Sequence, residues 1–266
     1  MQRRSFALPL VFSLLTCGFA WAQDDPHTIS ENMNSRFENL RAIKQFGRSL
    51  DAPTMRDTLF KPMPYEVEMY SKVPKKARSS FEKGNDALKK GAYDKAKEQY
   101  ESALAEYPDF ALAHHNLAVT ALNLKDMDRA REEFKAAVKS DPQMTSAYQN
   151  LGVLEIQQQN LDAALEPLQT ANRLNPTDLK TLTLLAYCQA LTHQLDTAVL
   201  TARHVHSFRD HAGYAYVHMI AGTALQSMGK HDEAIKEYKQ FLTEDPTDPR
   251  GAAARQQIHD LQAQSH

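Results

Sequence analysis

The chain has 266 residues, 42% of them apolar and 24% charged, with a formal net charge of −2. That apolar share is enough for a core, and without a basic run the chain has no electrostatic footprint for nucleic acid. Nine glycines over this length argue against a turn-rich all-β fold.

Arg3 and Arg4 precede an apolar run from Phe6 to Leu15, and Ala20-Trp21-Ala22 stands before Gln23-Asp24-Asp25. This is the pattern of a secretory signal peptide over residues 1–22, and it is too short for a membrane span. It predicts a periplasmic or secreted protein after cleavage near Ala22. "LLTCG" around Cys17 faintly resembles a lipobox. Thr16 stands where that pattern prefers Gly, Ala or Ser, so cleavage at Ala22 fits better than lipid anchoring at Cys17. Cys188 is then alone, with no partner for an internal disulfide, and is expected to be a small buried apolar residue.

Residues 23–76 form an N-terminal arm. Ile29, Met33, Phe37, Leu40 and Ile43 are spaced for one face of a helix within 28–50. Prolines 53, 62, 64 and 74 then predict an extended or disordered linker. We read the arm as a tether whose helix docks on the chain beyond residue 76. The alternative is an architectural role, in which the arm drives self-association.

From residue 77 the chain repeats. Asp94, Asp128, Asp162, Asp196 and Asp232 recur at spacings of 34, 34, 34 and 36, each two residues before an Ala. Pro108, Pro142, Pro176 and Pro246 keep that register, with Asp210 where one Pro is missing. Gly84, Ala118, Gly152, Ala186 and Gly222 form a small-residue column. Tyr100, Phe134, Leu168, Ala202 and Tyr238 form a column of mostly large residues. The Asp is placed to cap a second helix and meet its dipole. The small residue lets that helix approach the first, and the Pro lies past its end. Pro167, inside one second helix, removes a backbone bond, yet the apolar pattern continues through Leu168, Ala171 and Leu174, so the helix is expected to survive.

The period and these columns, seen most fully in "SSFEKGNDALKKGAYDKAKEQYESALAEYPDF", resemble the tetratricopeptide repeat. The resemblance implies an all-α, right-handed solenoid of five helix-turn-helix repeats, 77–110, 111–144, 145–178, 179–214 and 215–248. Residues 249–266 form a capping helix and tail, with Ala254, Ile258 and Leu261 as its apolar stripe. The lead-in "KVPKKARSSFEKG" is similar to that of exported bacterial members of the family.

No nucleophile elbow, P-loop or dinucleotide fingerprint is present, and no enzyme activity is expected. Acidic pairs such as Glu132 and Glu133 are read as solvated charge on exposed helical faces. By resemblance, the first helices line a concave groove that holds an extended peptide or a partner helix. Matching columns place Phe81, Asn85, His115, Asn116, Val119, Gln149, Asn150, Val153, Thr183, Tyr187, Met219 and Thr223 there. Side-chain amides in that groove can pair with a peptide backbone. Asn85 and Asn116 match the two asparagines with which some relatives clamp a terminal carboxylate. Phe81, Ser146 and Asn150 stand where the cations of that clamp belong, so a carboxylate clamp is excluded. The expected partner is a protein or peptide of the cell envelope.

"HVHSFRDHAGYAYVH", residues 204–218, carries four of the eleven histidines. His206 falls in the column of Leu104, Val138 and Leu242, and His218 in that of His114 and Tyr148, which are packing positions. His204 and His206 lie two apart on one helix and cannot share an ion. His211 lies in a loop with a two-residue insertion. No metal and no cofactor are expected. The stretch reads as the seam between the fourth and fifth repeats, ahead of a metal-binding or hydrolytic reading.

Overall fold

The computed structural model describes residues 70–209 and 211–264. The signal peptide, the helix expected at 28–50 and most of the proline-rich linker lie outside the described residues. Among the described residues there are eleven α-helices beyond the helical residues 70–72, one 3-10 turn and no strand. The helices are α1 (Lys75–Lys89), α2 (Tyr93–Glu106), α3 (Ala111–Asn123), α4 (Met127–Ser140), α5 (Thr145–Gln157) and α6 (Leu161–Leu174). They continue as α7 (Leu179–Leu191), α8 (Leu195–His206), α9 (Tyr216–Ser227), α10 (His231–Glu244) and α11 (Gly251–Ala263), with the 3-10 turn at Ala212–Tyr214 between α8 and α9.

Helices pair in chain order, α1 with α2, α3 with α4, α5 with α6, α7 with α8 and α9 with α10, and each second helix packs on the next pair. First helices also touch one another, α1 with α3, α5 with α7 and α7 with α9. The two layers differ in burial. The first helices α3, α5, α7 and α9 are buried on nearly all sides, as at Leu117, Leu154, Leu184 and Ile220. The second helices bury one stripe, such as Ala130, Phe134 and Ala137 of α4. The core is therefore a continuous seam running from Val73 to Leu261, as stacked units require.

The turn inside each pair has one geometry. Gly91, Lys125, Gln159, His193 and Gly229 all have φ between 61° and 74°. Each follows a first helix as its left-handed C′ residue, and the next N–H reaches five residues back. Asp126 N donates to Ala121 O at 2.9 Å and Asn160 N to Glu155 O at 2.8 Å. Three of the five positions carry a side chain at a φ that favours glycine, which hides this column from sequence reading.

This turn also corrects the Asp column. The N-caps of the second helices are Ala92, Asp126, Asn160, Gln194 and Lys230, so Asp94 and its counterparts are second helical residues. Their charge still meets the helix dipole. Only Asp126 among these caps accepts a backbone N–H, from Arg129 at 3.1 Å.

The second helices α2, α4, α6 and α10 end at Tyr107, Asp141, Asn175 and Asp245, whose φ of −145° to −132° is extended because Pro follows. Where that Pro is missing, the α8 cap Ser207 stays helical at φ −70° and ψ −15°. Pro167 is buried within α6, which runs on past it to Leu174.

At the start of the array, Pro74 is the N-cap of α1 and residues 70–72 are already helical, so extended chain does not reach residue 76. Tyr70 packs against the rings of Phe81 and Phe110, with centroids at 6.0 and 6.1 Å. At the far end, Asp248 accepts from Arg250 N at 2.7 Å, so α11 starts two residues beyond Pro249. Ala254 and Leu261 are buried against α10. Gln257 is buried too, accepting from Gln226 Nε2 at 3.0 Å.

Candidate functional site

The amides expected on the first helices meet one another. Asn150 Nδ2 on α5 donates to His115 Nε2 on α3 at 3.0 Å, and His115 Nδ1 donates to Asn116 Oδ1 at 3.0 Å. Asn116 Nδ2 donates to Asn85 Oδ1 on α1 at 2.8 Å, and the Tyr100 hydroxyl of α2 donates to the same oxygen at 2.7 Å. One directed ladder thus crosses three first helices. Its direction fixes the ring of His115 as the neutral Nδ1–H tautomer. The Oδ1 of Asn150 is buried with no partner. The two asparagines that match the carboxylate clamp are therefore committed to each other.

The remaining expected groove positions divide by chemistry. Gln149 Nε2 donates to Asp178 Oδ2 at 2.6 Å and to Thr181 Oγ1 at 2.8 Å, tying α5 to the start of α7. Thr183 Oγ1 donates to Leu179 O at 2.7 Å, and Thr223 Oγ1 to Met219 O at 2.9 Å, each turned back on its own helix. Phe81, Val119, Val153, Tyr187 and Met219 belong to the apolar seam. Asn85 is half-buried, and the other eleven positions are buried.

Burial holds the His115 imidazole below its ordinary pKa, against the raising effect of its bond to Asn116. The folded chain therefore favours the neutral ring. The ring's contribution is complete above the unfolded pKa near 6.5 and is lost as pH falls toward the lower folded value. Denaturant midpoints measured between about pH 7.5 and about pH 5 should fall with acidification, and fall less in His115→Gln. Equal slopes for the two proteins would show that the ring does not resist protonation.

Charge is buried where solvated charge was expected. Glu132 is exposed, but Glu133 is buried, receiving His114 Nδ1 at 2.6 Å and Arg129 at 2.7 Å. Glu237 repeats the arrangement with His218 Nδ1 at 2.7 Å and Arg203 Nε at 3.0 Å. A Glu five positions after the Asp column reaches back to the His that opens the first helix. The sequence shows this spacing at both places, and burial gives it its meaning. Cys188 is fully buried, and burial pushes its thiol up to about 12.

The histidine stretch separates as its spacing required. His204 is exposed and lies against Phe208 with ring centroids at 5.0 Å, while His206 turns to the other side and meets His218 at 4.7 Å.

A family model described as Tetratricopeptide repeat matches residues 81–145 and 128–178, and a second with the same description matches 215–248. No curated protein matches the chain. Among solved structures, the fold is similar to that of MamA protein at 23% identity, with a TM-score of 0.59 over 64% of this chain and 92% of that one. It is also similar to YrrB, described as a TPR protein with an unusual peptide-binding site, at 19% identity, with a TM-score of 0.62 over 66% and 90%. A fragment of MamA from Desulfovibrio magneticus RS-1 is 17% identical, with a TM-score of 0.58 over 66% of this chain and 99% of that one. At these identities the likeness is one of fold.

Proposed function

The chain belongs to the tetratricopeptide repeat family, and on that premise we propose that it is an exported interaction scaffold. Its first helices take an extended peptide or partner helix of an envelope protein along their shared face. The observation that carries this reading is the ladder from Asn150 to Asn85, which lines up side-chain amides across three first helices and ends at the half-buried Asn85. A side-chain amide within reach of a partner can pair with the backbone of an extended peptide. YrrB, of similar fold, is described as having a peptide-binding site. The pattern of residues 1–22 supports export.

The test is site-specific photo-crosslinking in cells. A photoreactive residue is placed at half-buried Asn85 or at Leu200, which is 67% exposed on α8. An adduct with an envelope protein from position 85 and none from position 200 is the expected result. Adducts from position 200 alone would move binding to the second-helix face. Recovery of the chain only from the cytoplasmic fraction would overturn export.

A further inference from the structure

We propose that His206, His218 and Glu244 form a binding site for a single divalent transition-metal ion of the zinc type, with His211 beside the Glu244 oxygen. The three atoms come from different helices, α8, α9 and α10. His218 Nε2 lies 3.1 Å from His206 Nδ1 and 3.3 Å from Glu244 Oε1, and His206 Nδ1 lies 3.4 Å from the same oxygen. A tetrahedral zinc site with bonds of about 2.0–2.1 Å has ligand atoms about 3.3–3.4 Å apart. The triangle has the dimensions of one face of that tetrahedron. His211 Nε2 lies 3.6 Å from Glu244 Oε1.

The protons argue in the same direction. His218 Nδ1 faces the Glu237 carboxylate at 2.7 Å, and a carboxylate accepts, so the proton is on Nδ1 and Nε2 presents a lone pair to the cluster. His211 Nδ1 faces the Phe208 carbonyl at 2.5 Å, which leaves its Nε2 a lone pair as well. With each ring neutral, two imidazole lone pairs are aimed at one carboxylate oxygen. Repulsion of that kind calls for a shared cation.

The neighbourhood is that of an oriented ligand set. Arg203 holds Glu237 with Nε at 3.0 Å, Glu237 orients His218, and the Phe208 carbonyl orients His211, the outer contacts expected of metal-ligating histidines. Gln240 Nε2 donates to Glu244 Oε1 at 2.8 Å across one turn of α10. Glu244 Oε2 is buried with no partner. An entry path exists, because the side chains of His206 and His211 are 41% and 24% exposed whereas those of His218 and Glu244 are 5% and 14% exposed. Imidazole and one carboxylate suit zinc and its neighbours, and calcium and magnesium prefer all-oxygen sets. The same His–Glu–Arg pattern at His114, Glu133 and Arg129 lacks the cluster. There His114 Nε2 meets the Pro108 carbonyl at 2.8 Å, and His218 Nε2 has ligands instead.

The full chain, purified without a tag and stripped with chelator, is titrated with zinc by calorimetry and with cobalt(II) by visible absorption. One equivalent of zinc and a tetrahedral cobalt spectrum are expected. His206→Ala, at a half-exposed position, should abolish stoichiometric binding and keep the helical circular dichroism. Glu237→Gln leaves every ligand in place and should weaken binding by about 10–100-fold. His204→Ala, on the opposite side of α8, should bind as the parent does. Absence of saturable zinc uptake by the unaltered chain would overturn the site and leave a proton as the shared cation. Unchanged affinity in His206→Ala would overturn it equally.

Discussion

Gly222→Ala destabilises the chain by about 1–3 kcal/mol, the cost of forcing a methyl into a packed core. A Cβ at Gly222 would stand 2.6 Å from Tyr238 Cε1, and one at Gly84 the same distance from Tyr100 Cε1. At Gly152 it would meet Leu168 Cγ at 2.6 Å. Glycine occupies the small-residue column where the second helix presents Tyr100, Leu168 or Tyr238. Alanine occupies it where the counterpart is Phe134 or Ala202. Both tyrosines are fully buried, so neither ring can swing into solvent. The pairing predicts a coupled outcome. Gly222→Ala with Tyr238→Ala reproduces the combination at Ala186 and Ala202, and the double variant loses less stability than the two single losses added together. Denaturant midpoints of the four proteins measure this. Strict additivity would show that the glycine serves something other than the approach of the ring.

Arg131→Met is expected to cost about 2–4 kcal/mol, set a little under the usual loss for breaking a buried pair because Arg131 is partly exposed. Glu155 on α5 is only 4% exposed. It receives Arg131 Nε from α4 at 2.6 Å, Arg131 Nη2 at 3.4 Å and Asn160 Nδ2 at 2.9 Å. Removing the guanidinium leaves a buried carboxylate with one donor. Arg131→Met with Glu155→Met should return much of the loss, since an apolar pair of similar volume avoids desolvating charge.

Acid titration gives an independent check. Burial pushes the Glu155 carboxyl up, but the bonds from Arg131 and Asn160 and the Arg131 charge outweigh it and hold the group below its ordinary pKa. In the unaltered chain its contribution is present above the unfolded value near 4.5 and is lost as pH falls through the lower folded value. Without Arg131, burial dominates and the sign reverses, with stability lost as pH rises through a raised folded pKa. The gap between the two proteins should therefore narrow on acidification. A gap that stays constant with pH would mean that the charge of Glu155 does not govern the loss.

Much of the fold was legible because its signals are local. A 34-residue spacing, a small residue facing a large one and a proline after four of the five second helices act between residues that are neighbours along one hairpin, so side-chain type and separation suffice to place them. Sequence reading failed where a backbone conformation carries no composition signal. Lys125, Gln159 and His193 adopt the left-handed turn that Gly91 and Gly229 advertise, and the Asp column lies two positions past the N-caps, inside its helices. Burial was misjudged at Glu133, because a second helix looks solvated until His114 of its own pair and Arg129 are seen to enclose the carboxylate.

The contacts between pairs were decided by the tertiary structure. Amides spaced along the first helices suggested a displayed polar surface, whereas His115 and Asn150 join into a ladder because α3 and α5 are brought within hydrogen-bond distance. Two histidines on one helix cannot share an ion, and that periodic rule holds for His204 and His206. It is silent about His206, His218 and Glu244, which belong to three helices and converge only once α8, α9 and α10 are packed. Helical periodicity specifies which face of a helix a residue occupies. Which residues of another helix that face meets depends on how the pairs stack, and stacking is set by the summed fit of buried side chains, with no single spacing that records it.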